Sequence, residues 1–309
     1  MIRRSLLAAS RSETIKSIAV STAVTRAVVA RYVAGETTED AVSAAATLAQ
    51  AGLHITIDHL GEDTTSRAQA DATRDAYLEL LGGLAAAGLT GVAEVSVKLS
   101  AVGQALPVDG PAIATANAHE ICRAAATVGT TVTLDMEDHT TTDLTLATLA
   151  ELRQDFPATG AVVQAYLHRT EADCRDLATA GSRIRLCKGA YREPASVAFQ
   201  SRAEVDRSYV RCLKILMGGA GYPMVATHDP RLIDIAEALS VRARRNRGDY
   251  EYQMLYGVRP DEQRRLAAQG EKVRVYVPYG AQWYGYLVRR MAEKPANMTL
   301  FLRSLVSGG

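Results

Sequence analysis

Residues 131–166 read TVTLDMEDHTTTDLTLATLAELRQDFPATGAVVQAY, and this stretch decides the fold. A short β-branched run, 131–135, ends in the acidic cluster Asp135-Met136-Glu137-Asp138. An amphipathic stretch with apolar residues at helical spacing follows over 142–156. A second short apolar run, 161–166, begins after Gly160. Strand, polar tip, helix and strand form a βαβ unit, whose strands run parallel through a right-handed crossover. Working outward, the same pattern recurs. Further candidate strands lie at 53–58, 92–99, 183–187, 223–227, 250–255 and 272–277. Between them lie candidate helices at 64–87, 110–128, 171–180, 193–218, 230–244 and 260–270, and 283–292 follows the last strand. Eight such units suit a (β/α)8 barrel of the TIM type better than an open sheet. No GxGxxG follows a strand, and Gly218-Gly219-Ala220-Gly221 has the wrong spacing and precedes one, which disfavours a doubly wound dinucleotide fold. Upstream, 12–34 and 38–51 read as helices stopped by Gly35 and Gly52. We expect residues 1–52 to pack as a helical segment on a catalytic barrel formed by 53–309, one domain overall.

The composition narrows the function classes. Of 309 residues, 35 are Lys or Arg and 34 Asp or Glu, a net charge of +1, so no basic excess points to a nucleic-acid partner. Hydrophobic residues make up 48%, enough for a large core. The cysteines Cys122, Cys174, Cys187 and Cys212 form no CxxC pair, against a disulfide scaffold or a zinc ribbon and in favour of a reducing cytosol. The apolar patch at residues 6–9 is too short for a signal core, and no run of eighteen apolar residues occurs. A cytoplasmic location, or a peripheral one on the inner face of a membrane, is expected. The six histidines show neither HxH nor HExxH spacing, so no metal is expected. No GxSxG elbow is present.

Barrel active sites gather where the strands end. Those ends carry Asp58-His59, Lys98-Leu99-Ser100, Asp135 to Asp138, Gln164, Arg185 to Tyr191, Thr227-His228-Asp229, Gln253 to Gly257, and Tyr276 to Gly280. Lys98, Asp135, Gln164 and Arg185 interrupt otherwise apolar runs, and buried charge needs a partner or a ligand. One such residue is most simply a satisfied structural ion. Four on successive strands, comprising two cations, a carboxylate and an amide, suit an anionic substrate beside a polar heterocycle. In the last unit Tyr286, Arg289, Arg290 and Glu293 fall at i, i+3, i+4 and i+7 and share a helical face. On a lone helix that is a solvated face. After the last barrel strand, two guanidiniums can clamp a carboxylate. His228 reads either as a loop cap or as a cofactor contact.

Taken in order, Val97-Lys98-Leu99-Ser100, Leu134-Asp135-Met136-Glu137, the run Arg185 to Tyr191, Ala226-Thr227-His228-Asp229, Gln253 to Gly257 and the block from Tyr276 to Asn297 resemble the proline dehydrogenases. The resemblance spans roughly 53–297, and each motif is weak alone. The length is similar to that of the monofunctional, single-barrel members. The resemblance implies a distorted barrel that binds FAD without a Rossmann motif and has its final helix over the mouth. It further implies oxidation of L-proline to Δ1-pyrroline-5-carboxylate, a membrane quinone as electron acceptor, and a separate pyrroline-5-carboxylate dehydrogenase as a partner. It implies roles too. Lys98, Arg289 and Arg290 would hold the proline carboxylate, with Glu293 pairing one arginine. Tyr191, Tyr276 and Tyr286 would wall the ring. Arg185 would stabilise charge at the flavin edge and Asp135 would orient its neighbours. Met136, Gln164, Lys188, Gly189, Ala190, Thr227 and His228 would contact the flavin or its phosphates. Two departures stand out: Arg192 where the bifunctional members commonly have Trp, and Cys187 where a β-branched residue is usual. Residues 12–51 match the family only loosely. Two rivals remain: a class I aldolase with Lys98 or Lys188 as Schiff-base lysine, and a non-catalytic flavin-binding or carboxylate-sensing barrel.

Overall fold

The computed structural model describes residues 29–61 and 64–287. It is a closed barrel of eight parallel strands in chain order: β1 (His54–His59), β2 (Ala93–Val97), β3 (Val132–Leu134), β4 (Gly160–Gln164), β5 (Arg183–Cys187), β6 (Tyr222–Ala226), β7 (Glu251–Leu255) and β8 (Val273–Tyr279). Helices alternate with them: α1 (Thr38–Gln50), α2 (Arg67–Ala86), α3 (Gly110–Thr127), α4 (Thr142–Asp155), α5 (Thr170–Leu177), α6 (Arg202–Gly218), α7 (Pro230–Arg242) and α8 (Pro260–Ala268). The barrel is uneven. β1 and β8 are paired over six residues, whereas β3 and β4 are paired over two.

Strand residues of one parity face the helices and are apolar. Ile55, Ile57, Val95, Val97, Val163, Leu186, Val225, Val275 and Val277 all join the main core. Burial of such side chains contributes about 1.5–3 kcal/mol each and holds the outer ring in place. The other parity faces inward and is largely polar, as its contacts show: Glu94 on β2, Arg183 on β5 and Arg274 on β8 approach one another from non-adjacent strands, which only the interior permits. Ala41 and Ala45 of α1 belong to the main core, so α1 packs directly on the barrel. It starts with a capping box, in which Thr37 accepts from the Asp40 N–H and Asp40 reaches back to the Thr37 N–H.

Most elements lie within three residues of their expected bounds, and one departs widely. The helix expected over 193–218 begins only at Arg202. Ser201 and Glu204 form a capping box there, and Leu167 and Ala198 make an antiparallel bridge that commits the preceding residues to an irregular loop. Of the helix expected over 12–34, residues 29–32 are helical and those before 29 lie outside the described residues. The helix expected over 283–292 is seen for 283–287.

Candidate active site

The carboxyl ends of β1, β2, β3, β5 and β8 bring one charged cluster together. Asp135, just past β3, is its hub. Its Oδ1 accepts from Ser96 Oγ at 2.7 Å and from Arg185 Nη1 at 2.7 Å, and its Oδ2 accepts from the Tyr276 hydroxyl at 2.7 Å. Lys98 Nζ lies 2.5 Å from Asp58 Oδ2, 3.7 Å from Asp135 Oδ2 and 3.4 Å from the Tyr276 hydroxyl. The Arg185 guanidinium stands 5.3 Å from the Tyr276 ring centre, donates to Ser96 Oγ at 3.1 Å, and uses Nε to bind Gln253 Oε1 at 2.5 Å. Burial, aided by Asp135 and Asp58, lifts the Tyr276 phenol well above 10.0, so it stays a neutral donor. Burial also raises the Asp58 carboxyl, with the Lys98 ammonium opposing it, from 3.8 to about 6.

Beneath this cluster lies a second one. Glu94 accepts from Arg183 at 2.5 Å, from Thr56 at 2.9 Å and from Thr133 at 3.2 Å, and its Oε1 lies 4.0 Å from Arg185 Nη2. Glu251 is gripped by Arg274 Nε at 2.6 Å and by Gln253 Nε2 at 2.6 Å. Burial alone would raise both carboxyls, but Arg183, Arg274 and Arg185 around Glu94, and Arg274 and Arg183 around Glu251, outweigh it and hold both below the usual range. Gln253 therefore has a fixed amide: its oxygen faces Arg185 and its nitrogen faces Glu251. Sequence reading assigned no role to Glu94, Ser96 or Gln253, although Glu94-Val95-Ser96-Val97-Lys98 alternates polar and apolar residues and so puts all three polar groups on one face.

The remaining expected residues surround the mouth. Gln164 does not touch the Asp135 cluster; its Nε2 donates to the Glu137 carbonyl at 2.7 Å and braces the loop after β3. Met136 is buried beside it in sequence. Lys188 pairs with Asp206 at 2.5 Å and Asp229 at 3.3 Å. Gly189 has φ 109°, and a Cβ there would meet the Tyr166 ring at 2.3 Å, so only glycine lets the chain lie against that ring. Ala190 and Tyr191 are exposed on the loop that follows. Thr227 Oγ1 accepts from the Asp229 N–H at 3.1 Å. His228 Nε2 accepts from the Leu255 N–H at 2.9 Å, which leaves Nδ1 as the protonated nitrogen of the neutral ring. Tyr286 is buried among Tyr32, Val33, Leu60, Trp283, Tyr284 and Leu287. Arg289, Arg290 and Glu293 lie outside the described residues.

These groups carry little nucleophilic character. Burial pushes the Cys187 thiol up to about 11. Lys98 and Lys188 are each ion-paired with carboxylates of the chain. No group of three or more His, Cys, Asp or Glu side chains able to hold a metal occurs among the described residues. What the mouth offers is an inner surface that solvent partly reaches at Cys187, Ala226, Leu255 and Tyr276, with cations on opposite sides at Lys98 and Lys188. A partly apolar rim at Cys187, Ala226 and Leu255, edged by cations and by amide or imidazole donors, fits a flavin, which is a planar heterocycle carrying phosphates.

The family model for proline dehydrogenase matches residues 41–303. The chain belongs to the proline dehydrogenase family. The chain is 40% identical over 280 residues to a proline dehydrogenase of Deinococcus radiodurans, covering 90% of both. It is 35% identical over 306 residues to proline dehydrogenase 1 of Bacillus subtilis, covering 99% of both. Among solved structures, proline utilization A of Bdellovibrio bacteriovorus, inactivated by N-propargylglycine, superposes with a TM-score of 0.79 at 25% identity over 87% of this chain. The match spans 33% of that longer protein, so the likeness concerns its barrel-sized portion. Proline dehydrogenases oxidise the CH–NH bond of proline and are generally flavin-dependent, and the Schiff-base rival falls on this family membership.

Proposed function

We propose that the chain oxidises L-proline to Δ1-pyrroline-5-carboxylate with FAD held over the barrel mouth, the first step of proline catabolism. The observation that carries this reading is the Lys98–Asp58 and Arg185–Asp135–Tyr276 cluster at the strand ends. When bound, FAD supplies the acceptor for the hydride that leaves proline C5. The chain's own residues bind and orient. Lys98, with Arg289 and Arg290, takes the substrate carboxylate, since charge-assisted hydrogen bonds from several cations fix an anion in place. Tyr276, held by Asp135, presents its ring and a neutral hydroxyl as one wall of the proline pocket, with Tyr191 and Tyr286 as the others. Glu293 pairs with one of the arginines. Arg185 places a fixed positive charge where electron density builds up, an electrostatic role that needs no proton movement. Met136, Gln164, Lys188, Gly189, Ala190, Thr227 and His228 line the flavin. Residues 1–52 serve as packing for the catalytic barrel of 53–309.

Electrons would leave to a membrane quinone, and the product to a separate pyrroline-5-carboxylate dehydrogenase. No helix among the described residues is long and apolar enough to cross a membrane.

The deciding experiment is the visible spectrum of the purified protein before and after anaerobic addition of L-proline. A flavin spectrum bleached by L-proline, and not by D-proline or glycine, supports the reading. A colourless protein after incubation with FAD overturns it. N-propargylglycine should inactivate the enzyme more slowly when L-proline is present, because both occupy one site. Trans-4-hydroxy-L-proline should be the poorer substrate, since Tyr286 would crowd a ring substituent.

A further inference from the structure

Arg185 projects from the middle of β5 into the barrel and is buried, so solvent does little to orient it. Its guanidinium stands between two carboxylates. On the mouth side Nη1 donates to Asp135 Oδ1 at 2.7 Å. On the floor side Nη2 is buried without a hydrogen bond and lies 4.0 Å from Glu94 Oε1. Leaving a buried donor unused is costly, so a small tilt that seats Nη2 on Glu94 competes with the observed pose. Another contact must favour the pose that leaves Nη2 idle.

Gln253 supplies that contact. It is buried on β7, with β6 between it and β5, and its Oε1 accepts from Arg185 Nε at 2.5 Å across the interior. The Nε–H and Nη1 lie on opposite edges of a guanidinium, so Gln253 and Asp135 fix its plane from two sides. In register β6 offers Met224 beside Arg185 and Ala226 beside Gln253, and neither brings a side-chain oxygen.

The amide of Gln253 cannot turn over. Its Nε2 donates to Glu251 Oε1 at 2.6 Å. Against the effect of burial, Arg274 keeps Glu251 anionic, so Glu251 can only accept. A flipped amide would set oxygen against the carboxylate and NH2 against the Arg185 Nε–H, unfavourable at both ends. Arg274 Nε closes the brace by donating to Glu251 Oε1 at 2.6 Å.

We propose that Gln253 is a positioning residue: braced by Glu251, it holds the Arg185 guanidinium on Asp135 and keeps it from dropping onto Glu94. This rests on the reading that puts Arg185 beside the flavin, where its charge meets the electron density that arrives with the hydride. Gln253 acts through Arg185 and moves no proton. A charge that stabilises a transition state works by being aimed beforehand, so a tilted guanidinium is a weaker one.

The test uses the full chain, with and without FAD. Gln253→Met keeps the side-chain length and removes the oxygen. In the loaded variant kcat for L-proline should fall on the order of tenfold with KM little changed, and the flavin midpoint potential should become more negative. Gln253→Asn is one methylene shorter and cannot reach Nε; it should give the same direction, and it serves if the Met variant does not fold. Gln253→Glu combined with Glu251→Gln returns an acceptor to Arg185 and keeps one negative charge in the brace, so it should recover most of kcat and of the potential. Lowered thermal stability, with kcat and potential of the loaded enzyme unchanged, would make Gln253 a packing residue and overturn the proposal. Crystal structures of the native chain and of Gln253→Met without FAD give a readout independent of the reaction. The variant should show Nη2 within hydrogen-bonding distance of Glu94 and Nη1 drawn away from Asp135, and an unmoved guanidinium sinks the brace. If the FAD-loaded native protein ignores L-proline, the functional reading fails, and the guanidinium pose alone decides the brace.

Discussion

Asp58, next to last in β1, has a lysine ammonium 2.5 Å away, and burial still leaves its carboxyl at about 6, against 3.8 for an ordinary aspartate. The folded protein therefore binds this proton more tightly than the unfolded chain does. The stabilisation is complete below about pH 4, and it is lost as pH rises through about 6. Two units at 1.36 kcal/mol each make the loss about 3 kcal/mol. The unfolding free energy of the native protein minus that of Asp58→Asn should fall by about that amount between about pH 4 and pH 8. Urea titrations at the two pH values check this, and a flat difference would refute it. Lys98 tests the binding side. Lys98→Met removes the cation proposed above to hold the substrate carboxylate; such a bond is worth roughly 1.5–3 kcal/mol, so the KM for L-proline should rise about ten- to a hundredfold with the flavin retained. At this scale the sequence was readable where a charge broke an apolar run, as at Lys98, Asp135 and Arg185. It was less readable where the partner sat on a distant strand: nothing near Arg185 in the chain announces Gln253 or Glu94, because closure of the barrel creates those contacts.

The turn from α6 to β6 shows how one side chain can finish an element. A helix leaves its last carbonyls without partners. Arg245, far along the chain, donates to the carbonyls of Leu216, Met217, Gly219, Gly221 and Asp249 at 2.8–3.1 Å. Burial lowers the pKa of this guanidinium, which has five carbonyl acceptors in place of a tightly paired carboxylate. Arg245→Met should cost about 3 kcal/mol, or a melting temperature lower by roughly 5 °C. Proline turnover should stay unchanged, because these carbonyls lie before β6, on the face of the barrel away from the strand ends. Calorimetry and steady-state kinetics on one preparation check both halves. Strand positions followed from short apolar runs to within two residues, since each is a largely buried run bounded by turns. The start of α6 did not. Val197 and Phe199 stand two apart, a strand spacing, and their backbones serve the bridge to the loop after β4; the Ser201–Glu204 box marks the true start.

Across the whole molecule the barrel interior is a column of alternating charge. Lys98, Arg183, Arg185 and Arg274 face Asp58, Glu94, Asp135 and Glu251. Most barrels fill this space with branched apolar residues. Here the mouth and the floor are electrically continuous through Arg185, which touches Asp135 above and approaches Glu94 below. Removing one member of a buried set leaves the others uncompensated. Glu94→Gln should therefore destabilise by about 3–5 kcal/mol, read as a lower denaturation midpoint with an unchanged slope. A loss under about 1 kcal/mol would mean the floor is not the tight ionic set its distances describe. The (β/α)8 class was legible from the repeated strand–helix pattern, whereas the ionic filling was not, because strand periodicity tells which side a residue faces and not how deep it sits. The joint between the two ends of the described chain has a use of its own. The chain contains a single tryptophan. Trp283 is buried at the first of the helical residues that follow β8, and its indole donates to Glu36 at 2.7 Å, just before α1. Indole emission from this protein thus comes from one known spot, a native optical probe at the root of the segment that leads to Arg289 and Arg290. Its colour reports water entry at that spot, and energy transfer to a bound isoalloxazine would dim it, so cofactor loading and the packing around Trp283 can be followed together without any attached label.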